Sequence, residues 1–108
     1  NQTCEACEIG APLVPEGDQA KLLVCLDGWE IDSTSTSKLV KQYKFLSYKE
    51  ASKFVNLIVA LAESEDHHPK ITLEWSLVRL EWWSHKIKGL HMNDFICAAK
   101  SNELFQSL

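Results

Sequence analysis

Apolar residues recur at helical spacing from Ala51 through Phe54, Val55, Ile58, Leu61 and Ala62. That period marks a helix with one buried face. Ser47 and Glu50 just ahead read as a capping box, the serine oxygen taking an orphan backbone donor and the glutamate reaching back. The pattern predicts a helix over Tyr48–Glu65. Its end breaks a rule, because Glu63, Glu65 and Asp66 crowd the negative helix terminus, where cations are preferred. Such a violation marks either a functional site or a solvated acidic end.

Period-two patterns flank this helix. Residues 29–32 are a short strand candidate, followed by the polar turn of residues 33–37. Residues 38–45 then alternate, with Leu39, Tyr43 and Phe45 on one side and Gln42 and Lys44 on the other. Together they predict an antiparallel hairpin. Pro69 forces His68 out of helical geometry. Ile71, Leu73 and Trp75 alternate, as do Val78, Leu80 and Trp82, which predicts a second strand pair ended by Gly89. Pro15, with Glu16 and Asp18 in the first turn, opens a helix over residues 16–26, and Asp27-Gly28 stops it. Asn93 is placed to cap a last helix carrying Phe95, Ile96, Ala98, Ala99 and Leu104. The order is helix, strand, strand, helix, strand, strand, helix. Hairpins alternating with helices imply an α+β fold, an antiparallel sheet with helices packed on one face.

A chain of 108 residues holds one domain with one core, here taken as 1–108, with 1–14 an irregular extension. The net charge of −4 and the absence of a basic patch argue against nucleic acid as primary ligand. No apolar run approaches the ~20 residues of a membrane span, and no secretory signal is visible. The four cysteines form no small-secreted-protein framework, so a cytoplasmic, reduced setting is expected. Cys4-Glu-Ala-Cys7 lacks nearby partners for a zinc site. It is expected to be inert, to form a disulfide or to touch a metal. Cys25 and Cys97 fall on apolar helix faces and are expected in the core.

The chemistry concentrates between Glu63 and Asp94. All four histidines lie there, His67, His68, His85 and His91, with three of the four tryptophans, Trp75, Trp82 and Trp83. Imidazole titrates near neutrality, and aromatic rings beside it suit proton transfer on a flat ring substrate. His67 and His68 are adjacent in an extended segment, so their side chains point opposite ways and do not chelate one ion together. Asp66 beside His67, and Glu63 one helical turn back, favour the charged imidazole. Each histidine is equally readable as a surface or capping residue, His91 above all. No serine sits in a G-x-S-x-G context and no glycine loop cradles phosphate.

Asp66-His67-His68-Pro69, then Trp75, then His85, Gly89-Leu90 and Asp94 resemble the pterin-4a-carbinolamine dehydratases. Gly28-Trp29 and the run from Phe45 through Glu63 look like that family as well, so that the resemblance covers residues 15–105. The run 82–91 and the leading C-x-x-C look like the bacterial members that accompany phenylalanine hydroxylase. The resemblance implies a four-stranded antiparallel sheet with three helices on one face. It implies a homodimer or a dimer of dimers, with strands or helices pairing across subunits. It implies a hydro-lyase that takes water from 4a-hydroxytetrahydropterin, in tetrahydrobiopterin recycling, with no metal and no bound cofactor. By similarity His67 and His85 are the acid–base pair and His68 orients the pterin. Asp66 holds the site, and Trp83, Ser84 and Glu63 bind substrate. Asp94 supports His85, and Trp75 or Trp83 supplies an aromatic wall. The animal members also imply an alternative without turnover, a protein-interaction module acting as a dimerisation cofactor.

Overall fold

The computed structural model describes residues 14–84 and 89–108. Cys4, Cys7 and His85 lie outside the described residues, and so do the expectations attached to them. Three helices, α1 (Glu16–Val24), α2 (Tyr48–Glu65) and α3 (Met92–Gln106), accompany four strands, β1 (Glu30–Asp32), β2 (Lys38–Lys44), β3 (Lys70–Glu74) and β4 (Leu77–Trp82). The strands form one antiparallel sheet in the order β1-β2-β4-β3. The architecture is the expected α+β one.

Strand parity decides which side chains meet the helices. Register pairs Leu39 with Trp82, Lys41 with Leu80 and Tyr43 with Val78. Leu39, Tyr43, Val78, Leu80 and Trp82 therefore share a face, and all are buried with Phe54 and Ile58 of α2 and Phe95 and Ala98 of α3. Leu22 and Leu23 of α1 pack half-buried against the same cluster. Aromatic rings fill its centre: Tyr43 lies 4.7 Å from Phe54 and 4.9 Å from Phe105 between ring centroids. The other sheet face is charged. There Glu81 sits among Arg79 at 3.6 Å, Lys38 at 3.8 Å and Lys70 at 3.9 Å.

Local signals were followed in most places and overridden in four. Ser47 Oγ accepts from Glu50 N at 3.2 Å, but the reciprocal half of that box does not form among the described residues. The last helix is capped by His91 rather than Asn93: its Nδ1 accepts from Asn93 N at 3.1 Å, and Asp94 closes a full capping box. Trp75 is not a strand residue. With φ of 49° it occupies the tight turn between paired Glu74 and Leu77, where its ring is 81% exposed. Cys97 is buried as expected, but Cys25 is exposed, because α1 ends at Val24 and leaves it as a C-cap.

The aromatic centre yields a stability prediction. Phe54→Ala leaves a void among Tyr43, Phe45 and Phe105. It is expected to lower unfolding free energy by about 3–5 kcal/mol, read as a reduced urea midpoint at constant slope.

Candidate active site

The site forms where the end of α2, the end of β4 and the start of α3 converge. Helix α2 closes on Asp66, which takes a left-handed conformation at φ 50°. His67 N donates to Ala62 O at 3.1 Å and Asp66 N to Glu63 O at 3.4 Å. This Schellman pattern satisfies the last helical carbonyls and reverses the chain. The extended segment that follows divides the two histidines, as alternation requires. His67 is buried at 3% exposure, while His68 is exposed.

His67 meets a carboxylate that is 27 residues away. Its Nε2 lies 2.5 Å from Asp94 Oδ1, and Asp94 is fully buried. The second oxygen, Oδ2, accepts from Ser84 Oγ at 2.7 Å and from His91 N at 2.8 Å. Three donors thus converge on one carboxylate at the third position of α3, where the positive end of the helix dipole adds to them. An ionised carboxylate only accepts, so the proton between the pair belongs to His67 Nε2. Nδ1 is then the nitrogen left to exchange a proton. It makes no hydrogen bond among the described residues.

The remaining candidates are distributed unevenly. Glu63 bonds His68, not His67, at 2.7 Å between Oε2 and Nε2, on the exposed side of the helix end. Glu65 pairs with Lys100 of α3 at 2.9 Å, so the acidic helix terminus finds a cation on another helix. Asp66 shapes the backbone that turns His67 inward. Ser84, 1% exposed, uses its hydroxyl on Asp94. Trp83 lies under the Lys38 ammonium, 4.4 Å from Nζ to ring centroid, toward the charged sheet face. Trp75 is placed apart, since β3 carries it roughly 16 Å from the His67 end of the strand.

Two participants belong to the histidine-rich stretch but carry no site role in the sequence reading. Trp82 stacks on the His67 imidazole, with centroids 5.4 Å apart and planes 21° from parallel. Its phase with Val78 and Leu80 marks it as core, which it also is. His91, left as a capping residue, caps α3 while its backbone N–H holds Asp94. The expectation that Asp94 supports His85 lies outside the described residues; within them the carboxylate holds His67.

The structure thus brings His67, Ser84 and His91 onto one buried carboxylate at the edge of an α+β sheet. Residues 12–104 match the family model described as pterin 4 alpha carbinolamine dehydratase. A Vibrio cholerae protein provisionally named pterin-4-alpha-carbinolamine dehydratase is 52% identical over 102 residues, covering 94% of each chain. A Saccharophagus degradans protein with the same provisional name is 45% identical over 106 residues, covering 97% of this chain and 94% of that one. The crystal structure of a transcriptional coactivator/pterin dehydratase from Brucella melitensis superposes with a TM-score of 0.81 at 25% identity, over 86% of this chain and 98% of that one. A pterin dehydratase-like RuBisCO assembly factor of the alpha-carboxysome shares the fold at a TM-score of 0.61 and 22% identity, over 71% and 88% of the respective chains. The chain belongs to the pterin-4a-carbinolamine dehydratase family.

The convergence on Asp94 predicts a strong stability effect. Asp94→Ala strands the buried donors of His67, Ser84 and His91. Unfolding free energy is expected to fall by on the order of 3 kcal/mol or more, measured by urea denaturation. Met92→Ala, on an exposed position of the same helix, is expected to change it by less than about 0.5 kcal/mol.

Proposed function

We propose that this chain dehydrates 4a-hydroxytetrahydropterin to quinonoid dihydropterin, with His67 and His85 as the proton-transfer pair. The N5 lone pair forms the C4a=N5 double bond as the C4a–O bond breaks. The leaving hydroxyl takes a proton from one imidazole and departs as water, and N5 gives its proton to the other. Protons balance over the turnover, so an acid and a base suffice.

The observation that carries this reading is the His67–Asp94 pair. The carboxylate fixes the Nε2–H tautomer and leaves Nδ1 as the exchanging atom, the arrangement general acid–base work requires. Ser84, the chain neighbour of His85, is bonded to the same carboxylate. His68, exposed on the other side of the segment, is assigned to binding and orienting the pterin. Asp66 and Glu63 are assigned to keeping the two histidines in place, and Trp83 and Ser84, just beyond β4, to binding substrate partly through backbone groups. Trp75 keeps no role at this site. The reaction belongs to tetrahydropterin recycling beside phenylalanine hydroxylase, in a homodimer or homotetramer in the cytoplasm.

A second reading is a protein-interaction module without turnover. The coactivator in the name of the Brucella structure favours it. Chemically generated 4a-hydroxytetrahydropterin separates the two. His67→Ala and His85→Ala are each expected to lower kcat by about 10²-fold or more while the far-ultraviolet circular dichroism is kept. Undiminished turnover in both variants removes the catalytic assignment, and absence of turnover in the unmodified chain favours the interaction module.

A further inference from the structure

A hydrogen bond at Nε2 does not by itself aim Nδ1. The His67 ring is held at two points, its Cβ and the Nε2 bonded to Asp94. Rotation about the line joining those points stays open, and it swings Nδ1 out of any fixed direction. What blocks this rotation is a flat surface against the ring. Trp82 provides it, lying 5.4 Å from the imidazole between centroids and 21° from parallel. Near-parallel aromatic pairs at that separation hold their relative plane.

The indole is itself held. Trp82 is fully buried on β4 opposite Leu39. Its Nε1 donates to Ser101 Oγ at 3.2 Å. Ser101 is fully buried on α3, and its own proton is committed to Cys97 O at 2.7 Å, so the oxygen turns a lone pair to the indole. The plane of His67 is thus referred through Trp82 to the helix that also carries Asp94.

The geometry points to Trp82, oriented by Ser101, as a positioning residue for the dehydration: it sets the plane of His67 so that Nδ1 faces the substrate ring. Trp82 is fully buried and acts only through the imidazole. This assignment rests on the reading of His67 as a proton-transfer group.

The test compares Trp82→Phe, which keeps a flat ring, with Trp82→Leu, which keeps apolar bulk without one, and with Ser101→Ala. Two readouts are taken on the full chain. One is kcat and KM with chemically generated 4a-hydroxytetrahydropterin. The other is the proton spectrum of the His67 ring, assigned by its loss in His67→Ala, whose carbon-bound protons an overlying indole moves upfield. Trp82→Leu is expected to lower kcat about tenfold with KM changed by less than about twofold. Trp82→Phe is expected to recover most of that loss, and Ser101→Ala to fall between. The upfield shift is expected in the unmodified chain and reduced in Trp82→Leu. Equal kcat in Trp82→Leu and the unmodified chain, or equal losses in the Phe and Leu variants, overturns the proposal. Should Trp82→Leu not fold, Ser101→Ala decides: unchanged kcat and an unchanged His67 spectrum overturn it. Should the unmodified chain show no turnover, the dehydratase reading falls on its own. The His67 spectra then decide the positioning, and an unshifted ring in the unmodified chain overturns it.

Discussion

A carboxylate without solvent contact is costly unless donors surround it. Asp94 is fully buried, and its two oxygens receive His67, Ser84 and the His91 backbone. Each donor comes from a different part of the chain: the turn after α2, the end of β4 and the residue ahead of α3. Removing any one weakens the case for burying the charge, so the three segments hold one another in place. The imidazole that results is held at Nε2.

Helix α3 is the element on which this arrangement depends, and it is pinned at a second point. Asn102 Oδ1 accepts from Trp29 Nε1 at 3.1 Å, from Lys41 Nζ at 2.9 Å and from the Tyr43 hydroxyl. Its Nδ2 donates to Asp27 O at 3.1 Å, beside Gly28, whose φ of 80° carries the chain from α1 into β1. Burial pushes the Tyr43 hydroxyl above its ordinary range and pulls the Lys41 ammonium below its own. Between the two polar anchors, Phe95 and Ala98 press into the aromatic centre. A rigid α3 fixes Asp94 against the strand that carries Trp82.

The sheet separates two environments. Its helix face is apolar and supports the stack of Trp82 on His67. Its open face sets Glu81 among three cations and Trp83 beneath Lys38. Adjacent tryptophans consequently do different things, because consecutive strand residues point to opposite faces. Trp82 is committed to the histidine, and Trp83 belongs to the charged side.

Local patterns in the chain were enough to specify the seven elements, the antiparallel α+β class and the separation of His67 from His68. Helical periods, alternation, Ser47 and Pro69 act over a few residues, and those are the distances at which such patterns are written. Tertiary structure decided which carboxylate holds His67. Asp66 and Glu63 are near in sequence, yet the Schellman turn faces His67 away toward Asp94, 27 positions on. It decided that Trp82, legible only as a core residue, is also the ring against the imidazole, and that Trp75 belongs to a turn at the far end of its hairpin. The physical reason is the same in each case: a contact between remote segments depends on register and helix placement, and those are settled only when the core packs.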